Sequence, residues 1–454
     1  MSFFLTRVKT MLHQGGDAVL FHHEGRATTY RAAGEIVDRI YTGLASTTGV
    51  VAIDSGNRPE VVLTQVAAQA RGLEVLLVAA SASKPAREAA LARTGATLLD
   101  LDELTTSEPS TPDPEDLPDQ VTALFPTGGT TGTPKLIRHR GIYDGMAHIF
   151  TPDGTQTTLV TAPLTHMTGN AAALGALLSG NKVVLRKHFD AEELLADIET
   201  HRVTSLSLTP PRLAAVLDSP KLRDTDLASV QKLSLGAAPL SPRRLAQALE
   251  VFDGKVGQGY GLTEAPMIAS IEGAELVDEH RLGSVGRIVP GMEARIDDGE
   301  VLVRGLSMMD GYLGEPPIGD GWLRTGDLGH FDDEGYLHLH DRIADVIITG
   351  DHGTKVPSTA VEHTLLAHPC VAAAAVFAVP GPGGEGELVH AVVVTTAETT
   401  AAELREHVHR QLGGAHFVPS AVDFVEELPL TPVGKVDKRK LAEPFWSGHS
   451  RHIA

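Results

Sequence analysis

Residues 125–135 of this chain read Phe-Pro-Thr-Gly-Gly-Thr-Thr-Gly-Thr-Pro-Lys and directly follow the apolar residues 121–124. Positions 127–135 contain three glycines, four threonines and a lysine. Glycines let backbone N–H groups converge on an anion, while hydroxyl groups and a lysine add donors and positive charge. The stretch therefore predicts a phosphate-binding loop beside a strand. The common mononucleotide loop is excluded, because Lys135 is followed by Leu136 and not by serine or threonine.

Strands and helices are predicted to alternate on both sides of this loop. Upstream, residues 50–54 and 73–80 are typical of buried strands and residues 59–71 of a helix. The acidic, proline-rich residues 105–119 predict a surface loop that ends an N-terminal lobe. Downstream, strand patterns cover residues 156–162, 182–185, 205–208 and 232–235, and helical patterns cover residues 191–199 and 242–251. This alternation predicts parallel sheets flanked by helices.

The pattern changes after Ser284. Short strands are predicted at residues 294–296 and 300–304, and a hairpin at residues 329–331 and 335–340. From about residue 345, helices are predicted at residues 358–367 and 401–412, and strands at residues 372–379 and 389–394. The predicted fold class is therefore α/β. A large N-terminal domain, residues 1–343, has two βα-layered subdomains and a small β unit, and a small α+β C-terminal domain covers residues 344–454.

Composition limits the classes of function. The 454 residues are 42% hydrophobic and 21% charged, which is typical of a soluble globular protein. The formal net charge of −20 argues against nucleic acid or an anionic membrane as a partner. No apolar run approaches the roughly 20 residues of a membrane span, and the first residues lack a secretory signal pattern. The single cysteine, Cys370, excludes an internal disulfide and favours a cytoplasmic location.

The 21 histidines raise the question of a metal site. His22 and His23 are adjacent, and one residue separates His338 from His340. Neither pair has a third ligand at helical or turn spacing, so the sequence favours solvated histidines over a metal site.

Three further motifs contain residues suited to nucleotide chemistry. Residues 257–264 read Gly-Gln-Gly-Tyr-Gly-Leu-Thr-Glu, and a carboxylate beside a hydroxyl group suits a magnesium-bound triphosphate. A dinucleotide site is disfavoured, because the third glycine is missing at the required spacing. Asp327, which ends the sequence Trp-Leu-Arg-Thr-Gly-Asp, has acceptor capacity for two hydroxyl groups. Residues 428–435 read Leu-Pro-Leu-Thr-Pro-Val-Gly-Lys and supply a cation in the tail.

Two more motifs lie between the predicted phosphate-binding loop and residues 257–264: Pro-Leu-Thr-His-Met-Thr-Gly at residues 163–169 and Gly-Ala-Ala-Pro at residues 236–239. Together with the motifs above, they form an ordered series along the chain. The chain resembles the adenylate-forming superfamily of acyl-CoA synthetases, nonribosomal adenylation domains and luciferases. The resemblance implies ATP-dependent activation of a carboxylic acid to an acyl-adenylate, release of pyrophosphate, and transfer to a thiol, with CoA expected. It also implies a Mg²⁺ cofactor and a mobile C-terminal domain that turns about a hinge beside Arg342.

The same resemblance gives roles to single residues. Lys435 matches the catalytic lysine that reaches the carboxylate and the α-phosphate, and His166 matches the residue that borders the acid pocket. Thr263 is expected to contact phosphate and Glu264 to hold Mg²⁺; these four residues are the expected catalytic set. The residues expected to bind ATP are Thr127, Gly128, Gly129, Thr130, Thr131, Gly132, Lys135, Gly236, Ala237, Ala238, Pro239, Gly259, Tyr260, Gly261, Asp327 and Arg342.

Departures from the family pattern bear on the acid and on the acceptor. Ala344 stands at the hinge, where the family usually has aspartate or lysine, and the loop of residues 350–362, which lines the thiol tunnel in the family, is longer than usual. Residues 165–168 contain no aspartate for a substrate ammonium group, so an acid without an α-amino group is favoured. Asn170, Ala171 and Gly175 suggest room for an aryl or medium-length acyl group.

Two alternatives to a CoA ligase follow from the same residues. The first is a stand-alone adenylation enzyme that loads a carrier protein or passes the acyl group to a nitrogen acceptor in a biosynthetic pathway. The second is a nucleotide-binding regulator without turnover, and the presence of Lys435, Glu264 and Asp327 argues against it.

Overall fold

The computed structural model describes residues 1–54, 56–126, 135–238, 240–276, 278–319, 321–350, 353–381 and 386–447. Side-chain caps mark where several helices begin; the hydroxyl of Thr400, for example, accepts from the Glu403 N–H in a capping box. The helices of the described residues are α1 (Phe3–Gln14), α2 (Tyr30–Gly43), α3 (Pro59–Ala70), α4 (Lys84–Thr94), α5 (Leu101–Leu104), α6 (Ile142–Ile149), α7 (Met167–Ser179), α8 (Ala191–His201), α9 (Pro210–Leu217), α10 (Pro242–Val251), α11 (Glu279–Leu282), α12 (Ser358–Ala367), α13 (Ala401–Leu412) and α14 (Lys438–Ala442).

The strands of the described residues fall into four sheets. They are β1 (Val19–His23), β2 (Arg26–Thr29), β3 (Val50–Ile53), β4 (Glu74–Leu77), β5 (Thr97–Leu98), β6 (Thr122–Pro126), β7 (Leu136–His139), β8 (Thr157–Val160), β9 (Lys182–Leu185), β10 (Ser205–Leu208), β11 (Lys232–Gly236), β12 (Val256–Tyr260), β13 (Ala269–Glu272), β14 (Arg287–Ile288), β15 (Met292–Asp297), β16 (Glu300–Gly305), β17 (Gly311–Tyr312), β18 (Leu323–Phe331), β19 (Leu337–Arg342), β20 (Ile347–Thr349), β21 (Thr354–Val356), β22 (Val371–Pro380), β23 (Glu387–Thr395) and β24 (Ala421–Phe424).

A six-stranded sheet contains the two strands that flank the glycine- and threonine-rich residues 127–135 along the chain. Its strand order is β17-β7-β6-β4-β3-β5, with β3, β4, β5 and β6 parallel and β6 antiparallel to β7. The loop motif lies between β6 and β7, and β6 is buried at Ala123, Leu124 and Phe125, as an apolar run in a central strand requires. Residues 105–119 do not end an N-terminal lobe, because β6 follows them and pairs with β4 in the same sheet.

A nine-stranded sheet forms the second layer, in the order β14-β13-β12-β11-β10-β8-β9-β1-β2. Strands β8 to β12 and β1 are parallel, while the edge strands β2, β13 and β14 are antiparallel to their neighbours. The predicted parallel sheets with flanking helices are thus confirmed. The N-terminal strands β1 and β2 join this sheet by pairing with β9, a distant contact that the sequence pattern does not predict.

Helix α3 is buried on nearly every side, as expected of a helix that is apolar all round. Its polar Gln65 is satisfied, since the amide donates to the Tyr143 hydroxyl at 3.1 Å and accepts from the Asn170 amide at 2.6 Å. This buried network joins α3 to α6 and α7 and fixes the start of α7. None of the described helices is long and apolar enough to cross a membrane.

The small β unit is a four-stranded antiparallel sheet in the order β15-β16-β18-β19. Strand β18 begins at Leu323, earlier than the hairpin pattern predicts, so Asp327 lies within a strand and pairs with Arg342 of β19. A short 3₁₀ turn, Ile343–Asp345, then leads to β20.

From β20 onwards the chain forms a five-stranded mixed sheet, with β22 antiparallel to β23, and β20 and β24 parallel to β23. Helices α12 and α13 pack on it around a separate apolar core that includes Ile347, Val376 and Leu404. The helices predicted at residues 358–367 and 401–412 have these bounds in the structure. The domain limits 1–343 and 344–454, and the mobility of the second domain, stay predictions.

Candidate functional site

The sequence motifs meet in one large cleft, with a volume of about 3310 Å³. It opens beyond the carboxyl ends of parallel strands such as β8, β10, β11 and β12, where α/β sheets usually bind ligands. The predicted site residues that line it are Lys135, His166, Ala237, Ala238, Gly259, Tyr260, Gly261, Thr263, Glu264, Asp327, Arg342 and Lys435. Gly236 precedes this wall at the end of β11. The predicted residues Thr127, Gly128, Gly129, Thr130, Thr131, Gly132 and Pro239 lie outside the described residues.

Asp327 is held from two sides within the cleft. The Tyr260 hydroxyl donates to its Oδ2 at 2.6 Å, and Arg342 Nε lies 3.0 Å from its Oδ1. Burial, followed by the nearby carboxylate, raises the pKa of Tyr260, so the phenol stays protonated and acts as the donor. Each carboxylate oxygen has a second lone pair, so Asp327 can still accept hydrogen bonds from a ligand's hydroxyl groups.

The turn after β11 has a strained backbone. Ala237 has a φ of +70°, in the left-handed region that a residue with a side chain rarely adopts. Before it, Gly236 lies so close to β12 that an added Cβ would be 2.6 Å from the Gly259 carbonyl oxygen. The two motifs are therefore held in backbone contact, and Ala237 and Ala238 form part of the cleft wall.

The Glu264 carboxylate is oriented by its neighbours. The Tyr312 hydroxyl donates to Oε1 at 3.0 Å, and the Met309 N–H donates to the Glu264 carbonyl at 2.7 Å. Next to it, the carbonyl of Thr263 lies 2.6 Å from Nε2 of the buried His139. Both residues of the turn are thus anchored through their backbone carbonyls, which leaves their side chains in the cleft.

Lys135, the last residue of the loop motif, lies on the same side of the cleft as Glu264. Its ammonium group is 4.4 Å from the centroid of the Tyr312 ring and 3.2 Å from Glu315 Oε2. Tyr312 therefore contacts both the lysine and the glutamate. A cation and an oxygen ligand side by side fit a phosphate chain with a bound divalent cation.

Lys435 enters the cleft from a tight turn. The Thr431 N–H donates to the Lys435 carbonyl at 2.7 Å, and Gly434 has a φ of +82°, which suits glycine. The Thr209 hydroxyl, at the start of α9, donates to the Gly434 carbonyl at 2.8 Å. The turn is therefore docked on the carboxyl end of β10.

The Lys435 ammonium group lies among charged groups of the cleft. Burial and then the Arg342 guanidinium lower the pKa of Lys435, while the carboxylates of Asp327 and Glu264 act in the opposite direction. Burial lowers the pKa of His166 to about 4, and the Lys435 charge adds to this effect. His166 is thus neutral at pH 7. Its buried Nδ1 has no hydrogen-bond partner among the described residues, so it can serve a ligand.

Apolar side chains form the wall along α6 and α7: Ile142, Met146, Ile149, Phe150, Ala171 and Ala172. Gly175 allows the Phe150 ring to approach, because an added Cβ would lie 2.8 Å from it. Asn170 is buried instead, where its amide bonds Gln65 and the Tyr143 hydroxyl. The expectation that Asn170 shapes the acid pocket is therefore wrong, because its amide holds helices together.

Some residues of the cleft are not predicted by sequence. Gln258 lines the cleft, and its buried Oε1 has no partner among the described residues, so this oxygen is available to a ligand. Its position inside the motif of residues 257–264 is the only signal in the sequence. Tyr312 and Thr209 lie far along the chain from the groups they contact, so only the fold identifies them.

Comparisons with known proteins agree with this arrangement. Residues 99–313 match the family model described as AMP-binding enzyme, and residues 360–435 match the AMP-binding enzyme C-terminal domain. A medium/long-chain fatty acid–CoA ligase of Mycobacterium tuberculosis is 34% identical over 373 residues, which are 74% of this chain. The aligned region spans 63% of the length of that ligase.

Solved structures match over nearly the whole chain. The amide bond synthetase from Marinactinospora thermotolerans has a TM-score of 0.83 and 30% identity, and the match covers 97% of this chain and 99% of that one. The o-succinylbenzoate CoA synthetase from Bacillus subtilis, solved in complex with ATP and magnesium ion, has a TM-score of 0.81 and 25% identity over 96% of this chain and 98% of that one. With the ordered motifs, the shared fold and these matches, the chain belongs to the AMP-binding enzyme family of adenylate-forming proteins.

Proposed function

We propose that this protein is an AMP-forming ligase that uses ATP to convert a carboxylic acid to an acyl-adenylate and then transfers the acyl group to a thiol, with CoA as the acceptor. The observation that carries the proposal is the meeting of Lys435, from the C-terminal region, with Asp327, Glu264 and His166 in one cleft. A cation, a carboxylate that can bind hydroxyl groups, a carboxylate that can hold a metal ion and a neutral imidazole suit the groups that meet in the first step.

In the first step, a carboxylate oxygen of the acid attacks the α-phosphorus of ATP. The bond between the α-phosphorus and the bridging oxygen breaks, and pyrophosphate leaves. Lys435 stabilises the negative charge that is shared between the carboxylate and the α-phosphate. Asp327 accepts hydrogen bonds from the ribose hydroxyls, while Arg342 and Tyr260 hold its carboxylate in place.

Lys135, Thr263 and Glu264 are assigned to binding the phosphates of ATP. The Tyr312 hydroxyl on Oε1 fixes the orientation of the Glu264 carboxylate, so this residue suits a Mg²⁺ ligand. Bound there, Mg²⁺ would neutralise charge on the departing pyrophosphate. The glycine- and threonine-rich residues 127–132 would add backbone and hydroxyl donors.

The acid is assigned to the apolar wall along α6 and α7, next to His166. The segment of residues 165–168 has no carboxylate to pair with an ammonium group. An acid without an α-amino group, with an aryl or medium-length acyl chain, fits these side chains. The neutral imidazole of His166 can contact the carboxyl group without forming an ion pair with it.

A second candidate acceptor is an amine, which would make the product an amide. The specific observation in its favour is that, of the two solved structures compared, the amide bond synthetase is more similar in sequence, at 30% identity against 25% for the o-succinylbenzoate CoA synthetase. Both acceptors attack the acyl carbonyl and release AMP. The adenylation half-reaction is common to both.

The test of the first step is acid-dependent exchange of pyrophosphate into ATP, measured with a panel of aryl, fatty and amino acids. Lys435→Ala should abolish exchange while ATP still binds. Lys440→Ala is the matched control, because Lys440 is exposed and lies outside the cleft. Equal exchange in Lys435→Ala and the wild type, or ATP binding without exchange by any acid, would overturn the proposal.

The acceptor is tested separately, with the best acid from the panel. Reactions with CoA, with a phosphopantetheinylated carrier protein and with small amines are compared by the rate of acyl product formed. Thioester formation with CoA supports the first candidate. Amide formation in the absence of CoA favours the second, and acylation of the carrier identifies a loading enzyme.

A further inference from the structure

Four histidine rings form a stack on the surface of the β18–β19 hairpin. The ring centroids of His280 and His338 are 4.7 Å apart, those of His338 and His330 are 5.0 Å apart, and those of His330 and His340 are 4.8 Å apart. His280 comes from α11, whereas the other three are on β18 and β19.

Asp332, in the hairpin turn, joins the first two of these histidines. Its Oδ2 is 2.8 Å from Nε2 of His280 and 3.1 Å from Nε2 of His338. One possible ligand atom from each of the three residues lies within 4.8 Å of the other two. Ligand atoms around a tetrahedral Zn²⁺ at about 2.0–2.1 Å are roughly 3.3 Å apart, so small side-chain rotations would bring all three to one ion.

The Asp332 carboxylate is already oriented for this role. Its Oδ1 accepts from the backbone N–H groups of Glu334 at 2.9 Å and Tyr336 at 2.8 Å, which directs Oδ2 to the imidazoles. The carboxylate is therefore positioned by the hairpin turn itself, before any ion binds.

Helix α11 is anchored beside the turn by a second contact. Arg281 Nη2 lies 2.9 Å from Glu334 Oε2, and the Arg281 guanidinium is 5.4 Å from the centre of the Tyr336 ring. This pairing sets the distance between His280 and the hairpin. It also neutralises the arginine charge next to the histidines, which would otherwise repel a cation.

We propose that His280, Asp332 and His338 form a binding site for one divalent first-row transition metal ion, with zinc the best fit. Two imidazole nitrogens and one carboxylate are typical zinc ligands, whereas Mg²⁺ and Ca²⁺ prefer oxygen ligands alone. The His280 side chain is 61% exposed, so an ion can enter and water can complete the coordination. None of the three residues lines the large cleft, so this site is separate from the proposed magnesium site at Glu264.

The metal would join α11 to the β18–β19 hairpin, two elements that are far apart along the chain. His280 and Asp332 are separated by 52 positions, and so the third ligand is not at the helical or turn spacing that a sequence pattern would reveal. The sequence expectation of solvated histidines at His338 and His340 therefore overlooks His280 and Asp332. A bound ion should stabilise the folded protein, because it binds the native arrangement and not the unfolded chain.

Zn²⁺ binding to the tag-free, full-length, metal-free chain tests the proposal. Competition with a chromophoric chelator, without ATP, should give one Zn²⁺ per chain. His280→Ala, His338→Ala and Asp332→Asn should each weaken Zn²⁺ binding by roughly tenfold or more. Cys370→Ser and His22→Ala are the controls, since they remove the free thiol and a histidine of another ring pair, and they should bind as the wild type does.

A second readout guards against misfolded variants. Zn²⁺ should raise the thermal unfolding midpoint of the wild type and of both controls, and should leave that of His280→Ala unchanged. His280 is exposed, so its replacement is the variant least able to disturb the fold. Wild-type affinity in His280→Ala overturns the proposal. So does a loss of Zn²⁺ binding in either control, or a loss in His330→Ala while His280→Ala still binds.

Discussion

At the scale of single residues, the hydroxyl of Tyr260 is expected to support ATP binding through Asp327. Tyr260→Phe removes the donor 2.6 Å from Oδ2 and leaves the buried carboxylate with one partner fewer. A hydrogen bond to a charged group contributes about 1.5–3 kcal/mol, so the KM for ATP should rise roughly tenfold or more, with a smaller change in kcat. Pyrophosphate exchange at varied ATP concentration measures both constants.

Tyr336→Phe is the matched control for this prediction. The Tyr336 hydroxyl also donates to a carboxylate, that of Glu275 at 3.0 Å, but outside the cleft. Its KM for ATP should equal that of the wild type. Equal KM values in Tyr260→Phe and the wild type would show that this hydroxyl does not support the nucleotide site.

His166 should make the stability of the folded protein depend on pH. Its pKa in the folded state is about 4, against an ordinary value of 6.5, because the ring is buried. Between these values the unfolded chain binds the extra proton, so the stability from this group is present above about pH 6.5 and is lost as the pH falls towards 4. Urea unfolding should therefore show a smaller loss of stability from pH 7 to pH 5 in His166→Gln than in the wild type.

The exposed His188 provides the control for that comparison. His188→Gln should lose as much stability between the two pH values as the wild type does. If His166→Gln also matches the wild type, the neutral, buried state of His166 in the folded protein is refuted.

The sequence predicts site residues where the required chemistry lies within one short motif. Tyr260, Asp327 and Lys435 are of this kind, and the fold brings them to the same cleft. Tyr312 and Asp332 could not be predicted, because each gains its role from a partner on a separate element. A pattern along the chain carries no information on such a contact.

At the scale of elements, the sequence predicts best where periodicity is local. Strands β9 and β10 and helix α10 have the predicted bounds, since each is a short apolar or amphipathic run between turn residues. The sheet to which a strand belongs is decided by long-range pairing. For this reason β6, which follows residues 105–119, pairs with β4, which precedes them. Likewise β1, near the start of the chain, pairs with β9, which follows these residues.

A buried ion pair joins α14 to α12. Lys438 Nζ is 2.8 Å from Glu362 Oε1 and donates to the Ser358 hydroxyl at 2.8 Å. Burial raises the pKa of Glu362, whereas the charge and the hydrogen bond of Lys438 act in the opposite direction. Lys438→Met leaves a buried charge unpaired and should lower the free energy of unfolding of the C-terminal region by about 3–5 kcal/mol.

Urea unfolding followed by tryptophan fluorescence measures this loss, since Trp446 contacts the same region through its bond to the Ala378 carbonyl. The double variant Lys438→Met/Glu362→Met should recover part of the stability, because the Glu362 carboxylate is then no longer buried without a partner, while the buried Asp341 still loses the nearby Lys438 charge. Lys440→Met, at an exposed position, should be close to the wild type. A double variant less stable than Lys438→Met would contradict the explanation.

At the scale of the whole molecule, the cleft is assembled from both ends of the chain. Residues 1–342 supply the cleft side chains that are assigned to the nucleotide, of which Arg342 is the last. The 3₁₀ turn Ile343–Asp345 then leads to the region that supplies Lys435. The Lys435 turn is held against the large sheet by the bond from Thr209 to the Gly434 carbonyl. This arrangement suits adenylation, in which the lysine must be near the α-phosphate.

The family resemblance implies that the C-terminal domain turns between the two proposed steps, which would take the Lys435 turn out of the cleft, so the Thr209 contact should favour only the first step. Thr209→Val keeps the side-chain shape but removes the hydroxyl that donates to Gly434 at 2.8 Å, and this hydroxyl does not cap α9. One such bond contributes about 0.5–1.5 kcal/mol, so the pyrophosphate exchange rate should fall about two- to tenfold. Acyl transfer from a preformed adenylate should be unchanged or faster.

Thr225→Val, which removes an exposed hydroxyl bonded to the Lys221 carbonyl, should leave both rates unchanged. Equal losses in both half-reactions of Thr209→Val would mean that the contact serves general stability, and that the C-terminal region does not change position between the two steps.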